Sequence, residues 1–158
     1  MAKSNKKKRS SLDVKAVLDT LNSILEIELA GVVRYTHYSL MVFGHARIPI
    51  VSWMRSQANE SLSHAQEAGE LITALGGHPS LKIGKLLETH KHDIDQILRE
   101  SIAHEEKGVE QYQRLLELSE GRSVMIEEHA RKMLAAEELH LTEVEKMLRQ
   151  PGRLEPVV

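Results

Sequence analysis

Residues 21–35 read LNSILEIELAGVVRY, and apolar side chains fall at Leu21, Leu25, Val32 and Tyr35 in the alternating four-and-three steps of one helix face. Glu28 occupies the one step of that rhythm where a hydrophobic residue is missing. A carboxylate on the buried side of a helix costs several kcal/mol of lost hydration unless a cation or a hydrogen-bonding partner meets it. The stretch therefore predicts a helix packed in a bundle and a polar group built into its interior.

The same rhythm recurs further along. Ile94, Leu98, Ile102, Val109, Tyr112 and Leu116 run past Glu105, and Ile126, Ala130, Met133, Val144 and Met147 run past Glu137 and His140. The predicted helices are residues 12–43, a second from about Pro49 to Leu75, a third from Asp93 to Leu118, and a fourth from the N-cap Ser123 to Leu148. Gly44, Gly76-Gly77, Gly121 and Pro151-Gly152 punctuate them. No stretch reads as a strand, and aromatic residues at only 3% disfavour a sandwich or barrel. The fold class is all-α, a four-helix bundle.

Length bounds the answer to one domain, since 158 residues can bury a core without staples. We divide the chain into a basic tail at 1–11, a bundle at 12–149 and a short C-terminal tail at 150–158. The first tail, MAKSNKKKRSS, carries five basic residues and no apolar run of the kind an export signal needs. It reads as a solvated extension, or as an arm making weak contacts to DNA phosphates. No membrane segment is expected. Cysteine is absent, so a metal could be held only by imidazole and carboxylate, and a cytoplasmic location is the default.

The connections are unequal. Turns near residues 44–48 and 119–122 are short and make antiparallel neighbours, whereas the segment from Gly77 to about Lys91 is long enough, at roughly 50 Å extended, to run the length of a 45 Å helix. It predicts parallel second and third helices joined by a long crossover. An up-down-up-down bundle requires instead that residues 81–87 form helical turns of their own.

Heights along the bundle then bring the polar interruptions together. Glu28 and His64 are equidistant from residue 46, and Glu105 and Glu137 from residue 121, where glycine and proline place the two hairpin turns. Each pair lies about 16–18 residues from its turn, or roughly 24–27 Å, near mid-bundle. Glu137 and His140, three apart, share a face, as do Glu60 and His64, four apart. A bundle centre for two metal ions needs about this set: carboxylates from each helix and imidazoles from two of them. The remaining histidines, among them His37, His92, His104 and His129, read as solvated residues of loops and polar faces.

Leu21–Tyr35, His64–Leu81 (HAQEAGELITALGGHPSL) and Ala136–His140 (AEELH) together resemble the bacterioferritin-type members of the ferritin-like di-iron superfamily, across about residues 18–149. The resemblance implies a ferritin-like bundle whose ferroxidase ligands fall on Glu28, His64, Glu105, Glu137 and His140. It implies a di-iron centre as cofactor, ferrous iron and dioxygen or hydrogen peroxide as partners, Tyr35 as a hydrogen-bonding or electron-relaying residue beside it, and a homo-oligomer that stores or detoxifies iron. Two positions depart from the family. Ser61 stands where a carboxylate ligand belongs, and Glu60 replaces it if a one-residue π-bulge widens the second helix; Glu67, one turn past His64, is the rival donor. Leu62 stands where the family's haem-ligating methionine would be, so haem is not expected. The competing functions are a DNA-protecting ferritin-like particle and a non-catalytic bundle that serves as an assembly partner.

Overall fold

In the computed structural model, residues 11–86 and 89–154 are described, and among them four α-helices account for all the regular structure. They are α1 (Val14–Met41), α2 (Arg47–Ala74), α3 (Ile94–Ser119) and α4 (Val124–Leu148). The expected DNA contact of the basic tail and the end of the C-terminal tail lie outside the described residues.

Local chemistry explains the helix ends. Asp13, Asp93 and Ser123 each accept a backbone N–H three residues on, from Ala16 (3.0 Å), Gln96 (3.0 Å) and Ile126 (3.5 Å). That satisfies one of the donors a helix start leaves over. Helix α2 has no side-chain cap at Ala46, but Pro49 sits in its first turn, where a missing N–H costs nothing. Gly76 and Gly121 turn the chain after α2 and α3 at φ +76° and +68°, a region closed to most side chains.

Contacts between helices fix their directions. Between α1 and α3, Glu28 meets Tyr112, Tyr35 meets Glu105, and Tyr38 meets Glu100. Numbers rise on one helix as they fall on the other, so the two are antiparallel. Glu60 meets His140 and Glu67 meets Lys132 in the same descending sense between α2 and α4. With short turns joining α1 to α2 and α3 to α4, helices α2 and α3 run parallel, as the long crossover requires.

The crossover is pinned along α1. Gly77 packs at Leu18, the Ser80 N–H donates to Asn22 Oδ1 (2.7 Å), and the Gly84 N–H donates to the Glu26 carbonyl (2.8 Å). Beyond the undescribed Leu87 and Glu88, the Thr89 N–H donates to Glu100 Oε1 (3.0 Å), at the level of Tyr38. From Leu18 to Tyr38 is about 20 residues, roughly 30 Å of helix. Residues 81–86 contain no helical turn, which disposes of the up-down-up-down alternative over the described part of that segment.

The core is split in two. One apolar cluster gathers Val17, Leu21, Ile24, Ala68, Ile72, Leu115, Ile126 and Met133; the other gathers Tyr38, Val42, Met54, Ala58 and Ile97. Between them lies a layer of buried polar side chains: Glu28, His64, Glu105 and Glu137. Apolar packing above and below that layer holds the four helices in register, so the polar groups are positioned by the part of the molecule least able to move.

Candidate metal centre

Each helix delivers one side of the polar layer. Glu28 comes from α1, His64 from α2, Glu105 from α3, and Glu137 with His140 from α4. His64 Nδ1 lies 3.4 Å from Glu28 Oε1 and 3.2 Å from Glu137 Oε1. Two sets of three donors result, Glu28–His64–Glu137 and Glu105–Glu137–His140, each with its ligand atoms within 4.8 Å of one another. Glu137 belongs to both. Two ions side by side with a shared carboxylate is the arrangement such overlapping sets can hold.

Two tyrosines clasp the carboxylates crosswise. The Tyr35 hydroxyl of α1 donates to Glu105 of α3, and the Tyr112 hydroxyl of α3 donates to Glu28 of α1 at 2.9 Å. Glu28 and Tyr35 are seven residues apart, and so are Glu105 and Tyr112, which makes α1 and α3 two copies of one device facing in opposite directions. Tyr35 holds Glu105 Oε1, and Tyr112 holds Glu28 Oε1, the oxygen that also faces His64, so each phenol orients its carboxylate. Tyr112 is the partner that sequence reasoning missed: it appears there only as core, although the repeated Glu-x6-Tyr spacing marks it.

Burial raises the Glu105 pKa to about 8, with the neighbouring Glu137 adding to the shift, and burial raises that of Glu28. For His64 burial acts downward, but hydrogen bonds to Glu137 and Glu28 outweigh it and raise the pKa to about 10. The cluster thus holds protons wherever it lacks enough positive charge. This is the test of fit for a pair of cations. A tetrahedral divalent ion with bonds of roughly 2.1 Å keeps its donors about 3.4 Å apart, which is the spacing His64 has with both carboxylates. Hard oxygen and borderline nitrogen donors, without sulfur, suit iron, manganese or zinc. The residues fit.

Glu60 is placed differently from expectation. Helix α2 is α-helical from Arg47 to Ala74, so the predicted π-bulge is absent. Glu60 nonetheless reaches the cluster from its rim, with Oε1 3.2 Å from His140 Nε2 and 3.9 Å from His64 Nε2, and Gln57 hydrogen-bonded to its other oxygen at 3.5 Å. Its side chain is 38% exposed, and it faces the imidazoles rather than Glu28 and Glu105. Glu67 turns to His129 and Lys132 instead. Without any widening of α2, the Glu60 side chain spans the gap from the rim to His140.

Ser61 is buried against α1. A Cβ on Gly31 would stand 2.6 Å from Ser61 Oγ and 3.1 Å from His104 Nε2, so Ser61 and His104 pack closely against the bare backbone of Gly31. His104, assigned from sequence to a polar face, is in fact buried beside the Tyr35 ring, and burial lowers its pKa to about 4, with the Arg34 and Lys107 charges adding to the effect. His129 is likewise inside rather than solvated. The α3 stripe was read half a step off: Ile97, Ser101, His104 and Gly108 are buried, while Ile102 and Val109 lie at the margin. Leu62 points outward and is exposed.

A four-helix bundle with one long crossover, carrying carboxylates and imidazoles at mid-height on facing helices, defines the ferritin-like class of di-metal bundles. The chain belongs to the ferritin-like domain family, whose model matches residues 18–154. Solved structures agree. A ferritin-like, diiron-carboxylate protein from Bacillus anthracis str. Ames superposes with a TM-score of 0.81 at 23% identity, covering 89% of this chain and 100% of that one. The bacterioferritin-related protein of Bacteroides fragilis, described as a dodecameric thioferritin, gives 0.78 at 26% identity, with 87% of each chain covered. Rhodobacter capsulatus bacterioferritin, with a metal-free dinuclear site and haem iron, gives 0.75 at 22% identity, covering 88% of this chain and 86% of that one. No curated protein matches the chain.

Proposed function

We propose that the chain binds two ferrous ions in the mid-bundle cluster and oxidises them, with dioxygen or hydrogen peroxide as the electron acceptor. The observation that carries this reading is the pair of donor sets sharing Glu137, one completed by Glu28 and His64 and the other by Glu105 and His140. Iron supplies the redox chemistry, and the protein supplies the rest. Carboxylates offset the charge of the incoming ions and give up the protons that burial keeps on them. Tyr35 and Tyr112 hold Glu105 and Glu28 in orientation, and Glu60 at the rim faces solvent beside His140, where ions and oxidant enter.

The same reading makes the chain one subunit of a homo-oligomer that stores or detoxifies iron, since the Bacteroides fragilis neighbour is dodecameric and this subunit exposes Leu40, Phe43, Ile48 and Leu62. No helix among the described residues is long and apolar enough to cross a membrane. The cytoplasmic location we propose rests on the cysteine-free composition. We expect no haem, because Leu62 offers iron no ligand. Ferrous titration under argon tests the centre. Two tight ions per chain are expected, one lost in Glu28→Ala and both in Glu137→Ala; tight binding that survives Glu137→Ala would refute the shared-ligand reading.

A further inference from the structure

At the end of the bundle where α2 begins and α4 finishes, a groove runs between these two helices. Pro49, Ile50 and Trp53 form its wall on α2, Met147 its wall on α4, and Gln57 and His140 its inner end. Those last two connect it to the metal centre, since Gln57 bonds one oxygen of Glu60 at 3.5 Å and His140 lies 3.2 Å from the other. Ile50 and Trp53 are half-buried, while Pro49 and Met147 are exposed. An apolar surface therefore lies open beside the metal ligands.

The chain that leaves α4 doubles back at once. Arg149 departs from the helix in an extended conformation, and Gln150–Arg153 then turn: the Arg153 N–H donates to the Gln150 carbonyl at 3.1 Å, Pro151 holds the second position, and Gly152 takes φ +79° at the third, the form of a type II turn. The reversal brings the Leu154 carbonyl within 3.2 Å of the Arg149 guanidinium. After the exposed Leu154 the sequence continues Glu155-Pro156-Val157-Val158, apolar but for the glutamate. Four extended residues span roughly 13 Å, the length of about nine residues of α-helix. Counted back from Arg149 along α4, that reach ends at His140. We propose that Leu154–Val158 fold back into the α2–α4 groove of their own chain, with Pro156 and the two valines against Ile50, Trp53 and Met147, and so cover the entrance beside His140. The seating rests on reach and apolar match; its effect on metal entry rests on the dinuclear reading above.

Trp53 is the one tryptophan of the chain and lines the groove, so its emission tests this in the full-length, metal-free protein. Val157→Asp combined with Val158→Asp, both beyond the end of α4, is expected to shift that emission to longer wavelength and to steepen its quenching by acrylamide, with helicity by circular dichroism unchanged. The chain has no cysteine, so Ile50→Cys combined with Val157→Cys gives a second reading, a disulfide closed within one chain under mild oxidation. Cobalt(II) absorbance reads the gating: the aspartate variant is expected to take up the same two ions per chain in a shorter time. A protein that binds no cobalt counts against the dinuclear reading, whereas fluorescence and cross-linking need no metal and decide the docking. Emission and quenching at wild-type values in the aspartate variant overturn the proposal, as does a disulfide that joins two chains, and loading at the wild-type rate overturns the gating.

Discussion

Glu60 and Glu105 meet the cluster in opposite environments, one at the rim and one enclosed. Glu60→Ala removes the carboxylate nearest His140 without opening a buried cavity, and the account expects it to slow ferrous oxidation by tenfold or so, the usual cost of losing a metal-orienting partner, while helicity by circular dichroism stays at the wild-type level. An unchanged oxidation rate would make Glu60 a spectator. Protons are the other handle at this scale. Glu105 titrates near 8 and His64 near 10, both above their ordinary values. The unfolded chain releases these protons first, so the stability they confer is lost as pH rises, from about 4.5 to 8 for Glu105 and from about 6.5 to 10 for His64. His104, held near 4, acts the other way, but only below about 6.5. Chelator-treated protein should therefore become less stable to urea between pH 6.5 and 8, by up to about 1.4 kcal/mol per pH unit for each proton released. Saturating zinc should flatten or reverse that slope, since both groups must be deprotonated to bind it. A stability that rises with pH in the chelated protein would contradict the assignments.

At the scale of elements, the crossover is the least regular part, yet it sits hard against α1 at Gly84. A Cβ on Gly84 would stand 2.9 Å from the Glu26 carbonyl oxygen, a backbone atom that cannot move aside. Gly84→Ala is expected to destabilise the fold by about 1–3 kcal/mol, the cost of overpacking, read as a lower urea midpoint; an unchanged midpoint would mean the crossover does not pack there. Helix ends and directions were legible in the sequence because Asp93, Ser123, Gly76 and Gly121 act through short-range chemistry. The meeting of Glu28, Glu105, Glu137 and His140 was legible because a polar residue interrupting an apolar stripe is a local signal, and that of His64 with Glu28 because both are equidistant from the turn between α1 and α2. What could not be read was long-range. The tilt of α3 that buries His104 and the close packing of Ser61 against Gly31 depend on how helices roll against each other, which periodicity leaves open by half a step. The π-bulge was inferred to solve a shortage of charge, but α2 is α-helical there, and Glu60 lies 3.2 Å from His140 without it.

For the whole molecule, two apolar clusters flank a layer of buried carboxylates and imidazole, and on the proposed function that layer is where metal would add stability. The stability gained on metal binding should consequently appear as a rise in Tm that grows with metal concentration. Exposed Phe43, Ile48 and Leu62 predict a sedimentation coefficient above that of a monomer at micromolar concentration. A purified protein without a Soret band is expected as well. The central claim rests on two ions being oxidised together at a cluster that Glu137 joins. Stopped-flow oxidation of protein loaded anaerobically with ferrous iron measures this directly. A fast phase that consumes two ferrous ions per chain and disappears in Glu137→Ala is expected, whereas a fast phase of wild-type rate and amplitude in that variant would contradict the shared centre.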